Sequence, residues 1–425
     1  MEYRPFPDER GDEFDAFMRY AFSPTEGPYD PEEADDHDTI ADTRGLFDGD
    51  EPVAVCAHHT FSLRIRGDDR EVAGLSAVAS PPEHRRRGNV GRMLRESLAE
   101  YRDRGVHVST LWPFEYPFYA AYGWATASRY RHLTAPPEQL GFVDDLIATA
   151  GDDAGSFRRL DGDDYPAVKP VLAAMADRYD LTMDWTEEWW RERALQGWKT
   201  DPFVYGWERD GELRGLCAYS FDDDAGDAGD ADAPILRVTD VAVADDEAWF
   251  QLLRFFRNHD SQVAEVRIRA PPDAPLLDLV EDPRAVDCEV RTGPMVRLVD
   301  VAAALEALDP DPEIEAAFSL SVADPLVDRN DETFRVAVAD GAVAVEPTGG
   351  GEDGETAVAE TGGPDPDAAD AADAAADIGA LSQLYVGYKS VDEAVRSGGL
   401  AVDSALAADL RALFPPRTTH LREGF

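Results

Sequence analysis

The most informative stretch of the chain is Val78-Ala79-Ser80-Pro81-Pro82-Glu83-His84-Arg85-Arg86-Arg87-Gly88-Asn89-Val90-Gly91. An apolar, strand-like run ends here, a loop with three consecutive arginines follows, and Gly88 precedes a helical pattern. The first N–H groups of a helix have no intrahelical partners, and the helix dipole adds partial positive charge. Gly88 lets the backbone approach an anion closely. The pattern predicts a pyrophosphate site between a strand and a helix; the alternative is a solvated, arginine-rich helix start.

The segments around this loop predict an α+β unit over residues 1–140. Strand-like runs precede the loop at 52–58, 60–66 and 71–79, with a hairpin turn at 67–70. After the loop, apolar residues recur at the spacing of one helix face: Val90, Met93, Leu94, Leu98 and Tyr101. Residues 106–112 then form another predicted strand.

Two further units follow. Residues 150–295 repeat the order of elements, which indicates an internal duplication, and include an aromatic helical region at 170–195. Their equivalent of the arginine loop is Ala244-Asp245-Asp246-Glu247, whose carboxylates would repel a pyrophosphate. Residues 296–425 predict an α/β domain that ends in two amphipathic helices, and the tract 349–377 predicts a mobile loop.

Charge and composition restrict the class of partner and the compartment. The 40 Lys+Arg and 87 Asp+Glu give a net charge of −47, which argues against nucleic acid and anionic membranes as partners. Lys169, Lys199 and Lys389 are the only lysines, a bias that favours a halophile over a merely acidic protein. Three scattered cysteines, histidines without metal spacing and the lack of a signal or membrane segment predict a cytoplasmic protein without a metal. His58 and His59 are predicted to be structural or exposed.

The loop resembles the acyl-CoA pyrophosphate loop of the GNAT acetyltransferase superfamily, as Arg85-x-x-Gly88-x-Val90, with a departure at Val90. More specifically, two segments resemble the Eis family of N-acetyltransferases, which also carries an apolar residue at that position. They are Pro82-x-His84-Arg85-Arg86-Arg87-Gly88 and Leu111-Trp112-x-x-Glu115-x-x-Phe118-Tyr119-x-x-Tyr122-Gly123. The resemblance implies an α+β chain of two GNAT-like mixed-sheet domains, at 1–140 and 150–295, followed by a sterol-carrier-like α/β domain at 296–425. Because of the carboxylates at 244–247, we expect the second domain to be degenerate and not to bind acyl-CoA.

The resemblance also implies site residues. Acyl-CoA contacts fall on Val78, Ala79, Ser80, Arg86, Arg87, Gly88, Asn89, Val90, Gly91, Phe114 and Glu115. Phe114 is large where the family often has a small hydroxyl residue. Tyr119 matches the general acid that protonates the departing thiolate, a task suited to a phenol that stays protonated at neutral pH. The alternative for Tyr119 is a core aromatic.

The second catalytic group implied by the resemblance is the α-carboxylate of a terminal phenylalanine, here Phe425. It would take a proton from the substrate ammonium, directly or through water. The alternative is a disordered tail. Gly424 stands where the family often has an acid, which leaves open whether Glu423 contacts the substrate.

The sequence therefore predicts an N-acetyltransferase that moves acetyl directly from acetyl-CoA to an amine. The resemblance implies a small polyamine, an aminoglycoside-like amine or a lysine as acceptor, and a homo-oligomer, specifically a hexamer. The competing hypothesis is a non-catalytic acyl-CoA or lipid binding protein that uses the GNAT and sterol-carrier-like folds.

Overall fold

The computed structural model describes residues 1–32, 40–150, 155–197, 200–222, 234–348 and 372–425. Three mixed sheets, each covered by helices, follow one another along the chain, as the α+β prediction requires. One continuous apolar cluster joins all three, from Phe61 in the first sheet through Leu236 in the second to Phe318 in the third.

The first sheet has seven strands in the order β1-β2-β3-β4-β5-β14-β6. Their bounds are β1 Glu2–Pro5, β2 Asp42–Asp48, β3 Glu51–Ile65, β4 Asp68–Ala79, β5 Val108–Leu111, β14 Met295–Leu298 and β6 Ala125–Thr126. β3 and β4 form the predicted hairpin, and β4 and β5 are the parallel pair.

The second sheet also has seven strands, in the order β13-β7-β12-β11-β10-β9-β8. Their bounds are β13 Asp287–Thr292, β7 Arg129–Ala135, β12 Glu265–Ala270, β11 Ile235–Val243, β10 Glu212–Asp222, β9 Phe203–Arg209 and β8 Gly155–Arg159. Its parallel pair, β11 and β12, is joined through a helix just as β4 and β5 are. The two sheets thus share the repeated element order predicted from the sequence.

The third sheet has five strands in the order β17-β16-β15-β18-β19. Their bounds are β17 Ala342–Pro347, β16 Thr333–Ala339, β15 Ala316–Ala323, β18 Ala374–Asp377 and β19 Leu400–Val402. β18 lies inside the tract 349–377, so the prediction of a loop is wrong for these four residues, whose alanines are buried against β15 and β19. Residues 349–371 lie outside the described part of the chain.

The α-helices pack on these sheets. Their bounds are α1 Gly11–Phe22, α2 Asn89–Asp103, α3 Tyr116–Ala120, α4 Val143–Ala150, α5 Tyr165–Arg178, α6 Glu187–Trp189, α7 Asp246–Arg257, α8 Leu276–Leu279, α9 Val301–Glu306, α10 Ile378–Tyr385, α11 Val391–Arg396 and α12 Leu406–Leu413. α2 buries Met93, Leu94, Leu98 and Tyr101, the face expected from their spacing. α10 is buried on every side rather than amphipathic.

The helical prediction for 170–195 was too long. α5 ends at Arg178, and Leu181 adopts a positive φ of 68°, which interrupts the helix before α6 and a π-helical turn over Trp190–Ala194. Among the described residues, no helix is both long and apolar enough to cross a membrane.

The first two sheets exchange strands. β7 directly follows β6 in sequence but belongs to the second sheet, whereas β14 returns from residue 295 to lie between β5 and β6 in the first. The edges of the sheets therefore do not coincide with the predicted domain boundaries at 140, 150 and 296. Sequence patterns could not reveal this, because pairing between distant strands leaves no local signal.

Candidate active site

A gap opens between the parallel strands β4 and β5. Their pairing runs from Val72 opposite Val108 to Gly74 opposite Thr110, and β4 then continues to Ala79 without a partner on that side. A bulge at Ala77, with φ of 54°, bends β4 where its register with β3 shifts. The backbone groups at Val78 and Ala79 therefore border the gap and can bind an extended ligand.

The arginine loop leads from this gap to the start of α2. Gly88 is the N-cap residue, in the left-handed conformation with φ of 77°, and no side chain of the described residues caps the helix. Arg86 also has a positive φ, of 58°, and both Arg86 and Arg87 are exposed. Within the described residues neither of these arginines forms an ion pair. The first-turn N–H groups and two guanidinium groups are thus available to one anion.

The rest of the loop is held by short-range contacts. Arg85 Nε donates to the Ser80 carbonyl at 2.9 Å, and Ser80 Oγ donates to the Val53 carbonyl at 2.8 Å. Asn89 is buried, and its side-chain amide donates to the His84 carbonyl at 3.2 Å. Asn89 and Ser80 therefore fix the shape of the loop rather than reach into solvent.

The equivalent helix of the second sheet is capped differently. At the start of α7, the Asp245 carboxylate accepts a hydrogen bond from Ala248 N at 2.8 Å, and Asp246 and Glu247 occupy the first turn. The protein's own carboxylates therefore occupy the position at which α2 is open. Negative charge thus lies where an anion would bind, and the absence of acyl-CoA binding by the second unit stays a prediction.

Tyr119 lies in α3, the short helix after β5. Its ring is buried and belongs to the apolar cluster that includes Leu75 and Val78 of β4 and Leu111 of β5. Burial, and secondarily the nearby Cys56, raise the pKa of its phenol, so it stays protonated at neutral pH. Phe114 is 64% exposed, and its ring centroid lies 5.6 Å from that of Tyr119. Glu115 is exposed beside it.

The C-terminal tail is ordered, and Phe425 packs on the other face of β4. Its ring centroid lies 4.7 Å from that of Phe61 and 5.4 Å from that of His59, both on β3. A Cβ atom at Gly74 would lie 3.0 Å from the Phe425 ring, so glycine permits this close approach. Phe425 therefore lies at Gly74, the last β4 residue paired with β5.

Buried contacts anchor the residues before Phe425. Thr419 Oγ1 donates to the Ala127 carbonyl at 2.6 Å, and Trp112 Nε1 donates to the Glu423 carbonyl at 2.8 Å. The Glu423 carboxylate accepts from Trp185 Nε1 at 2.8 Å and lies 3.2 Å from Arg422 Nε. Burial raises the pKa of Glu423. Glu423 is thus bound within the protein, which leaves little of its carboxylate for a substrate.

His59 was predicted to be structural or exposed, and the structure places it in the candidate site. It is buried, its Nε2 lies 2.8 Å from Ser76 Oγ, and its Nδ1 has no hydrogen-bond partner among the described residues. Burial lowers the pKa of His59 to about 3, so the ring is neutral beside Phe425. Strand alternation places His59 and Phe61 on one face, but only the tertiary path of the tail brings Phe425 there.

Buried histidines are expected to make the fold sensitive to acid. Burial lowers the pKa of His58, His59 and His420 to about 3, against 6.5 in the unfolded chain. Below pH 6.5 the unfolded state binds protons that the folded state excludes. Stability should therefore fall as the pH drops from 6.5 towards 3, by about 1.4 kcal/mol per pH unit for each histidine.

The measurement is urea denaturation between pH 8 and pH 5 for the wild type and His420→Asn. Burial also lowers the pKa of His132, to about 4, so the variant should lose about a quarter of the histidine-dependent slope, whatever its stability at pH 8. Identical slopes in the two proteins would contradict a neutral, buried His420. The slope of the variant is compared with that of the wild type because other groups also contribute to it. The buried Asp180 and Asp377 carboxyls have a raised pKa, which makes the folded state more stable as the pH falls, and this contribution is the same in both proteins.

Family comparisons agree with the three-sheet architecture. Residues 2–127 match one acetyltransferase (GNAT) domain family, and residues 181–298 match another. Residues 301–422 match a sterol carrier protein domain family. These matches confirm the predicted fold class. The described residues contain no group of three or more His, Cys, Asp or Glu side chains arranged to hold a metal ion.

Relatives and solved structures extend the comparison. An uncharacterized N-acetyltransferase of Streptomyces griseus is 31% identical over 284 residues, which is 63% of this chain and 66% of the relative. The alignment thus spans slightly less than two thirds of that relative. A GCN5-related N-acetyltransferase from Anabaena variabilis has a TM-score of 0.75 at 18% identity, and Eis1 from Mycobacterium abscessus has 0.71 at 21%. Both alignments cover 100% of each chain, and at this identity they show the fold alone.

Proposed function

We propose that this chain, which consists of two GNAT acetyltransferase domains followed by a sterol carrier protein domain, is an N-acetyltransferase that uses acetyl-CoA. The observation that carries the proposal is the uncapped start of α2 beside the gap between β4 and β5. An anion-binding helix end next to unpaired strand backbone suits a ligand with a pyrophosphate and an extended arm. Val78, Ala79 and Ser80 would contact the arm, and the arginine loop would bind the pyrophosphate.

The proposed reaction is direct transfer. The amine nitrogen attacks the thioester carbonyl carbon, the C–N bond forms and the C–S bond breaks. The Phe425 carboxylate takes the proton from the substrate ammonium, directly or through water, and Tyr119 gives its proton to the departing thiolate. The attacking nitrogen then loses its second proton to the Tyr119 phenolate, directly or through water, which leaves a neutral amide. A backbone N–H near Val78 polarises the carbonyl. Holding both reactants in one cleft supplies much of the acceleration.

Two features support these roles. The Tyr119 phenol is kept protonated by burial and forms no hydrogen bond to the described residues, so its proton is not engaged elsewhere. The Phe425 ring is packed against β3 and β4 rather than loose in solvent. Both residues lie at β4: Tyr119 shares an apolar cluster with Leu75, and the Phe425 ring lies at Gly74. Phe114 and Glu115 would flank the acyl-CoA beside Tyr119.

The setting of the reaction is also a proposal. The −47 charge and the scarcity of lysine favour a high-salt cytoplasm, and the three cysteines are free. We therefore expect activity to be best measured in molar salt. The resemblance to the Eis family favours a hexamer. Polyamines, aminoglycosides and lysine are the acceptors to test first.

Substituting Tyr119 tests the proposed acid. We expect Tyr119→Phe to lower kcat by about 10²-fold, because the thiolate loses its proton donor. The KM for acetyl-CoA should change little, since the ring remains. The measurement is release of the CoA thiol with a panel of amines in molar salt.

Tyr116→Phe is the matched control, because Tyr116 lies in the same helix but is 42% exposed. Its rate should equal that of the wild type. Equal rates for Tyr119→Phe and the wild type would rule out the role of Tyr119. A protein that binds CoA but releases no thiol with any amine would favour the non-catalytic binding protein.

A further inference from the structure

Arg269 lies where the first two sheets meet, beside two aromatic rings. It lies on β12, with its guanidinium carbon 4.8 Å from the ring centroid of Trp112 and 4.6 Å from that of Tyr130. Trp112 directly follows β5 of the first sheet, and Tyr130 lies on β7 of the second. The guanidinium therefore contacts two aromatic rings, one from each sheet, whose own centroids lie 6.3 Å apart in a T-shaped arrangement.

This guanidinium has no anionic partner within the described parts of the chain. Its Nε and Nη2 atoms are buried without a hydrogen bond, and no carboxylate of the described residues pairs with it. The nearby acids are engaged: Arg422 Nη1 binds Asp240 at 2.7 Å, and Arg422 Nε lies 3.2 Å from Glu423. Cation–π contacts offset part of the cost of burying the charge, but they do not satisfy its N–H donors.

Arg269 is also close to the proposed reaction centre. The ring of Trp112 that stacks on Arg269 donates its Nε1–H to the Glu423 carbonyl, two residues before Phe425. As a residue Arg269 is only partly buried, so part of its side chain is exposed although Nε and Nη2 themselves are buried. His132 on β7 lies directly opposite Arg269 in the register of β7 and β12. Arg193 adds a further cation at the tail, where its Nη2 donates to the Gly424 carbonyl at 3.3 Å.

The chemistry of the Arg269 guanidinium favours binding of an anion. Nε and Nη2 form one edge of the planar guanidinium, the edge that pairs with both oxygens of a carboxylate. A polycationic amine would instead meet Arg269 with like charge. We propose that the acceptor is an amine that also carries a carboxylate, which Arg269 binds while the amine lies at Phe425. This inference rests on the proposed acetyltransferase activity and narrows its substrate class.

A pair of acceptors that differ only in the carboxylate tests the inference. Thiol release is measured with free L-lysine and with cadaverine, its decarboxylated counterpart, and likewise with L-phenylalanine and phenethylamine. In the wild type, kcat/KM should be higher for the carboxylate-bearing member by about 10- to 100-fold, the value of charge-assisted hydrogen bonds. Preference for the decarboxylated amines would overturn the inference and leave the acetyltransferase intact.

Variants of Arg269 test whether this residue causes the preference for acceptors that carry a carboxylate. Arg269→Gln should abolish it, and Arg269→Lys, which keeps the charge without the planar edge, should retain only part of it. The readout is the ratio of kcat/KM for L-lysine to kcat/KM for cadaverine, which should fall to about 1 in Arg269→Gln. Arg267→Gln is the control, because Arg267 lies two residues away on β12 and faces Glu265. Equal losses with both amines would show that Arg269 only supports the fold, and no release with any amine would overturn the proposed function itself.

Discussion

Adding one residue after Phe425 is expected to lower kcat by about 10²- to 10⁴-fold, the range for loss of a general base. An appended glycine converts the α-carboxylate of Phe425 into a neutral amide and moves the carboxylate along the chain. The anchors at Thr419 and Glu423, and the Phe425 ring on Phe61, have no need of that charge. The fold should therefore survive while the proposed base is lost.

Two controls separate chemistry from packing. Phe425→Leu keeps the carboxylate and a buried apolar side chain, so its kcat should remain much closer to that of the wild type. A glycine added before Met1 tests whether any lengthening of the chain is harmful. Acetyl-CoA binding and the melting temperature should be unchanged in the extended protein. Full activity of that protein would exclude the Phe425 carboxylate as the base.

Asp324→Asn should cost about 3–5 kcal/mol of unfolding free energy, because it leaves a buried charge without its counterion. Arg297 Nη2 binds both carboxylate oxygens of Asp324, at 2.6 and 2.5 Å, and both side chains are fully buried. Asn330 donates to the same carboxylate at 3.0 Å. Since a domain of this kind is stable by about 5–15 kcal/mol, the loss is a large share of the total.

This ion pair also reaches the candidate site. Arg297 Nη1 donates to the Tyr122 carbonyl, three residues after Tyr119, and its guanidinium lies 5.3 Å from the Trp124 ring centroid. Asp324→Asn should therefore also reduce kcat by displacing the turn after α3. Asp392→Asn is the control, because Asp392 pairs with Arg411 at 2.6 Å on the exposed surface. Unfolding by guanidinium chloride should show no change of the midpoint for Asp392→Asn. Equal midpoints for the two variants would contradict the stabilising role of the ion pair between Asp324 and Arg297.

Much of the first sheet could be predicted from local signals in the sequence. The arginine loop, the face of α2 and the β3–β4 hairpin are each built from neighbouring residues, so spacing and turn chemistry predict them. Residues 244–247 also predict a helix start occupied by acids, and Asp245 caps α7. The sterol carrier protein match at 301–422 agrees with an expectation drawn from a family resemblance rather than from spacing.

Long-range contacts could not be predicted in the same way. Nothing in the sequence near Arg297 indicates that it pairs with Asp324, and the tail gives no local sign that it is buried. Arg269 was missed because β12 alternates as Glu265-Val266-Arg267-Ile268-Arg269-Ala270, which is typical of a strand with one solvated face. The aromatic rings of Trp112 and Tyr130 distinguish Arg269 from Arg267 on that face, and both contacts arise from tertiary packing.

The return of β14 to the first sheet limits how the chain can be divided. β5 at residues 108–111 pairs with β14 at residues 295–298, so the first sheet cannot close until almost three quarters of the chain has been synthesised. An excised segment of residues 1–140 would expose β5 as an open edge, a site for aggregation. Contacts of such long sequence separation also slow folding. The first sheet is therefore complete only when the chain includes the segment up to residue 298, so residues 1–140 do not form a self-contained unit.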